Sequence, residues 1–213
     1  MFYSILYHRK SRGVTASTFH ESTRVEIAWT LVPLIILVGI AVPATQTLLG
    51  ARNLENAAID IRITGYQWKW HYEYLDENGE NIKFFSQLST PRDEINNAEP
   101  KGEHYLLEVD EPLVIPVNTR VRLLLTANDV AHAWWVPDLA VKKDAIPGLI
   151  TEVITLPTSK GTYRGQCAQL CGKDHGFMPI VVNVVSRDEY DQWILAKRGN
   201  TVVPPRVHNN KKG

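Results

Sequence analysis

Two cysteines, a histidine and a methionine crowd into one short stretch, Gly165-Gln166-Cys167-Ala168-Gln169-Leu170-Cys171-Gly172-Lys173-Asp174-His175-Gly176-Phe177-Met178-Pro179. These are the chain's only two cysteines and, apart from Met1, its only methionine. Cys167, Cys171, His175 and Met178 stand at spacings of four, four and three residues. Two thiolates, an imidazole and a thioether form a soft donor set. Such donors select copper over hard cations, and a methionine beside Cys and His marks copper sites that carry electrons. Two other readings use part of the set. A disulfide between the cysteines needs an oxidising compartment and uses neither His175 nor Met178. A tetrahedral zinc site would close on Cys167, Cys171, His175 and one distant histidine, but zinc rarely recruits a thioether. Copper accounts for more of the residues.

A distant histidine is available. His132 lies in Asn128-Asp129-Val130-Ala131-His132-Ala133-Trp134-Trp135-Val136-Pro137-Asp138-Leu139, at the start of an aromatic and β-branched run that reads as a strand. Alone, a histidine so placed is more often packed than ligating. Beside the sulfur cluster it supplies a donor from another part of the fold.

The motifs together resemble subunit II of the haem–copper cytochrome c oxidases, whose extramembrane domain holds the binuclear CuA centre. The resemblance rests on Phe19-His20, Glu26-Ile27-Ala28-Trp29-Thr30, Gln67-Trp68-Lys69-Trp70, Asp129-Val130-Ala131-His132, Asp144-Ala145-Ile146-Pro147-Gly148 and the Cys167–Pro179 run. It implies that Cys167 and Cys171 bridge two copper ions, that His132 and His175 bind one each, and that Met178 is a weak ligand. It also implies that Gln169 offers its backbone carbonyl. Trp68 matches the family's electron port, although packing alone also suits a tryptophan. Glu26 either complements the helix dipole or, as the family implies, opens a proton path into subunit I. The implied role is to take electrons from cytochrome c and pass them to haem in subunit I, where oxygen is reduced to water. A copper delivery or storage protein is the alternative from another class.

Two positions depart from the family pattern. Lys69 replaces a frequent aromatic, and a cation there would repel a lysine-rich cytochrome c. Gln169 stands where the family usually has a glutamate that helps hold magnesium at the subunit I interface. A neutral amide suits a hard cation less well, so the resemblance does not carry the magnesium site across.

The elements that must position these residues can be read from composition. The 213 residues hold 23 Lys and Arg against 23 Asp and Glu, and this zero formal charge gives no reason to expect nucleic acid. Residues Ile27–Ala51 carry no charge. That run exceeds the ~20 residues needed to cross a bilayer and the ~7–15 of a signal peptide's apolar region. Pro33 and Pro43 are tolerated in membrane helices, and Trp29 suits the interface. His8, Arg9, Lys10, Arg12 and Arg24 precede the span, placing its start in the cytoplasm and the rest of the chain outside. The resemblance implies that the membrane is the bacterial cytoplasmic or the mitochondrial inner one, with the copper domain on the periplasmic or intermembrane side. Met1–Tyr7 reads as the tail of a first hydrophobic helix, too short to span. The family has two such helices, so the recorded start is expected to lie inside a longer gene.

Beyond the membrane the apolar period becomes two. Ile59, Ile61 and Ile63 share one parity, while Tyr66, Trp68, Trp70, Tyr72 and Tyr74 share the other. A phase change at Gly65 predicts a bulge or bend. Further strands are predicted over Leu106–Val109, Leu113–Val117, Val121–Thr126, Ala133–Val136, Thr151–Leu156, Thr162–Cys167 and Ile180–Val185. The reading is mainly β, an antiparallel sandwich of the cupredoxin-like Greek-key type that the resemblance implies. Ser186-Arg187-Asp188-Glu189 predicts a capped helix to about Arg198. The domain plan is 1–26 remnant helix and basic loop, 27–51 membrane helix, 52–199 copper domain, and 200–213 disordered tail. The acidic excess from Glu73 to Glu111 reads either as a solvated face or as a landing surface for a basic partner.

Overall fold

A computed structural model of the chain describes residues 1–13, 15, 18–51, 56–76 and 81–200. The chain divides into two units, Met1–Gly50 and the remainder from Ala51.

In the first unit, α1 (Phe2–Tyr7) is a short helix and α2 (Thr23–Ala51) a long one. α2 begins four residues before the charge-free run, because Thr23, Arg24 and Glu26 form its first turn. Glu26 stands near the helix start, where its carboxylate accepts a hydrogen bond from the Ser22 amide at 3.4 Å. That contact favours a negative group at an N-terminus whose amides lack helical partners. Within residues 23–50 an 18-residue window has a mean hydropathy of 2.4, and the apolar side chains are exposed all round, so the helix is long and apolar enough to cross a membrane.

The second unit is a two-sheet β-sandwich. Its strands are β1 (Ile59–Tyr66), β2 (Lys69–Leu75), β3 (Ile82–Ser86), β4 (Leu113–Pro116), β5 (Val121–Ala127), β6 (His132–Val136), β7 (Val141–Ala145), β8 (Thr151–Thr155), β9 (Gly161–Cys167) and β10 (Pro179–Val185). One sheet has the order β3-β2-β1-β5-β8, the other β4-β10-β9-β6-β7. Pairing is mostly antiparallel, but β1 with β5 and β4 with β10 run parallel. The expectation of a purely antiparallel sandwich is corrected here. Each parallel pair closes over a connection long enough for a crossover.

The core forms where alternating residues of the two sheets meet. Ile61, Ile63, Trp70, Tyr72, Leu123 and Leu125 of one sheet and Leu113, Ile115, Trp134, Val136, Ile180 and Val182 of the other are almost fully buried. The parity change in the aromatic run has a cause other than the predicted bulge. β1 and β2 form a tight hairpin with Tyr66 opposite Lys69, which sets Gly65 against Trp70, Ile63 against Tyr72 and Ile61 against Tyr74. Odd residues of β1 therefore share a face with even residues of β2.

One further expectation is corrected, and three elements were not foreseen. Leu106–Val109 is not a strand: Leu106 takes φ 61°, a left-handed turn conformation, and only Val109 forms an isolated bridge, to Leu88. β3 and β7 are strands that apolar alternation did not reveal. Both lie at sheet edges and carry lysines (Lys83, Lys142, Lys143), a composition that suits edges because it discourages further pairing. α3 (Arg92–Ile95) is a single short turn.

α4 (Arg187–Asn200) starts at the predicted capping box. The Glu189 carboxylate accepts from the Ser186 amide at 2.6 Å, and Ser186 Oγ accepts from the Glu189 amide at 3.4 Å. The tail from 201 lies outside the described residues. The acidic run is not one open field. Glu73 pairs with Arg62 and Lys83, Asp76 with Arg198, Glu108 with Arg164 and Glu111 with Lys197.

Candidate metal centre

The sequence-predicted donors converge at one end of the second sheet. His132 is the first residue of β6 and Cys167 the last of β9; Cys167 faces Trp134 across the ladder. Residues 168–178 form the loop to β10, pinned at both ends by main-chain bonds. Ala168 N donates to Ala133 O at 2.9 Å and Cys167 N to Met178 O at 3.0 Å. The loop holds Cys171 and a 3-10 turn, His175–Phe177. Its ends are thus fixed by strands.

The donor atoms cluster around the two sulfurs. His132 Nδ1 lies 3.9 Å from Cys167 Sγ, the two sulfurs are 3.8 Å apart, and His175 Nδ1 is 3.4 Å from Cys171 Sγ. The Gln169 carbonyl oxygen is 3.3 Å from Cys167 Sγ, while the residue itself is exposed. Cys167, Cys171, Met178 and His132 are buried, and His175 is half-buried. Both cysteines are free, with their sulfurs well beyond the ~2.05 Å of a disulfide. His132, Cys167 and Cys171 hold their donor atoms within 4.8 Å of one another, a group that could hold a metal ion.

Burial opposes ionisation of both thiols. At Cys167 the His132 ring and nearby main-chain groups overcome it and bring the pKa down to about 7. Burial and the adjacent Cys167 charge push Cys171 up. One thiolate thus forms readily, and a metal must displace the second proton. Burial lowers the His132 pKa, yet Cys167 and Asp129 outweigh it and the net shift is upward.

Three residues around the donors had passed as parts of motifs rather than as contributors. Asp129 Oδ1 lies 2.8 Å from His132 Nε2, which leaves Nδ1 facing the sulfurs. A carboxylate on the outer ring nitrogen fixes the tautomer and orientation of a ligating histidine. Gly65 lets that ring in: a Cβ there would stand 2.7 Å from His132 Cδ2. Gly172 takes φ +122°, and a Cβ on it would meet the Gln67 amide and the Trp68 ring, each at 3.0 Å. A polar residue one helical-turn distance before a candidate ligand was the available signal for Asp129; nothing local marks Gly65.

Trp68, half-buried in the β1–β2 turn, donates Nε1–H to the Cys171 carbonyl at 3.2 Å. Its other side borders a surface hollow of about 400 Å³ with Leu88, Arg92, Ile95 and Phe177. Lys69 lies over the Phe85 ring at 4.3 Å.

The family model for the cytochrome c oxidase subunit II periplasmic domain matches residues 59–185, and that for the subunit II transmembrane domain matches residues 1–47. The chain belongs to the cytochrome c oxidase subunit II family. A probable cytochrome c oxidase subunit 2 of Rickettsia bellii is 44% identical over 197 residues, covering 92% of this chain and 70% of the relative. A second, from Rickettsia felis, is 44% identical over 196 residues, 92% of this chain and 60% of that protein. The chain thus spans well under the full length of these relatives. The crystal structure of the periplasmic domain of subunit II of cytochrome oxidase of Bradyrhizobium japonicum matches with TM-score 0.60 and 37% identity, covering 68% of this chain and 97% of that one. The likeness supports the cupredoxin-like character of the sandwich, and the clustered His and Cys donors fit the copper that soft ligands select.

Proposed function

We propose that this chain is the electron-accepting subunit of a respiratory oxidase, built around a binuclear CuA centre. Cys167, Cys171, His132 and His175 would hold the two ions, with Met178 and the Gln169 carbonyl completing the set. The spread of the donors supports two ions rather than one. A single tetrahedral ion with bonds of ~2.0–2.3 Å needs every donor pair within about 3.8 Å, and His175 lies outside the group that His132 makes with the two sulfurs. Such a centre supplies one-electron transfer at two shared coppers with little change of geometry.

The protein's own residues supply the rest. Strand ends hold the ligands, burial excludes water, and Trp68 offers a route from the surface hollow to a ligand backbone. Cytochrome c docks over that hollow, subunit I receives the electron at its haem, and oxygen is reduced there. α2 crosses a bacterial cytoplasmic or mitochondrial inner membrane, with the sandwich outside. Glu26 at its start opens a proton path. The domain plan follows: 27–51 spans and 52–199 carries copper. Because Gln169 is exposed and neutral, magnesium at the subunit I interface is weak or relies on partner ligands. A delivery or storage role would not require an electron route through the Trp68–Cys171 contact.

That contact carries the proposal. Trp68→Ala in the assembled oxidase is expected to slow reduction by cytochrome c far more than it alters the copper spectrum. Equal damage to both would reduce Trp68 to a packing residue.

A further inference from the structure

Two donors, not one, converge on the Cys171 carbonyl. Besides Trp68 Nε1 at 3.2 Å, the Gln67 side-chain amide donates to the same oxygen at 2.7 Å. The Gln67 main-chain amide meanwhile donates to Asp129 Oδ2 at 2.7 Å, on the carboxylate whose other oxygen faces His132. Gln67 thus ties the loop carrying Cys171 and the residue orienting His132 to one turn. The space around that oxygen is tight: a Cβ on Gly172 would press on both the Gln67 amide and the Trp68 ring at 3.0 Å.

A carbonyl has two lone pairs, and here both are used. The shorter bond goes to Gln67, so the carbonyl's position is set chiefly by that residue, and the longer Trp68 contact depends on it. We infer that Gln67 is a positioning residue for electron transfer, holding the Cys171 carbonyl where the Trp68 N–H reaches it. The inference rests on the reading of Trp68 as the electron port and names the group that keeps this port connected. The physical reason is reach. With the amide gone, the carbonyl can turn toward solvent, and a bond already at 3.2 Å passes readily beyond hydrogen-bond length.

The test is a double-mutant cycle in the assembled oxidase with Gln67→Met, which keeps length and loses the donor, and Trp68→Phe, which keeps a ring and loses the N–H. The readout is electron transfer at saturating cytochrome c, with KM recorded alongside because Gln67 is also exposed. Gln67→Met is expected to slow saturated transfer about fivefold, the factor that one lost hydrogen bond represents, and to leave KM in place. In the Trp68→Phe background it should slow it no further. The inference is overturned if Gln67→Met changes KM alone, leaves transfer unchanged, or slows it equally in both backgrounds. If Trp68→Phe itself leaves transfer unchanged, the port reading fails, and the inference with it.

Discussion

In the proposed centre Asp129 would act on the metal through His132, an effect that can be separated from that of the ligands. With its carboxylate on Nε2, the ring presents Nδ1 to the sulfurs. Asp129→Asn is expected to weaken copper binding by ~10–100-fold, the usual cost of losing such a partner, without unfolding the sandwich. Competition titration against a copper chelator checks this, and unchanged affinity would show that packing alone orients the ring. Residue identities made the candidate donors legible in the sequence, because two cysteines and one internal methionine leave few ways to assemble a soft site. Their supports were less legible. Gly65 reads as a kink in a strand, yet the space it leaves is filled by a ring 67 positions later in the chain. No local pattern encodes such a contact.

At the scale of elements, alternation revealed the strands that face the core, and lysines at the edges concealed β3 and β7. The aromatic parity change was visible but assigned to a bulge, since a two-residue hairpin turn containing Trp68 lacks the glycine or asparagine that usually marks one. The same first sheet holds a buried carboxylate. Glu73 on β2 is 1% exposed and meets Arg62 of β1, Lys83 of β3 and Asn81. Burial pushes its pKa up, but the Lys83 and Asn81 hydrogen bonds and the Arg62 charge outweigh it, so the net shift is downward. A carboxyl lowered on folding adds stability that is fully present above its unfolded pKa of ~4.3 and fades as pH falls through the folded value. Acid unfolding should therefore steepen below about pH 4, and Glu73→Gln should flatten that limb while lowering stability at neutral pH. Denaturant midpoints measured across pH would reveal it. A parallel shift at every pH would mean that the charge on Glu73 contributes nothing.

For the whole molecule, the membrane span, the two-sheet sandwich and the clustered donors agree with the family to which the chain belongs. The apolar run and the copper-loop motif were legible because each is local. The parallel pairings of β1 with β5 and β4 with β10 were not, since they depend on which edge a distant strand reaches. The central claim is that two copper ions share one electron between Cys167 and Cys171. Electron paramagnetic resonance of the full chain, loaded with copper in detergent and paired with a metal count, tests it most directly. The account predicts two coppers per chain and hyperfine structure from one unpaired electron spread equally over both nuclei, lost in Cys171→Ser. A single-copper spectrum with one ion per chain, or zinc held in preference to copper, would contradict it.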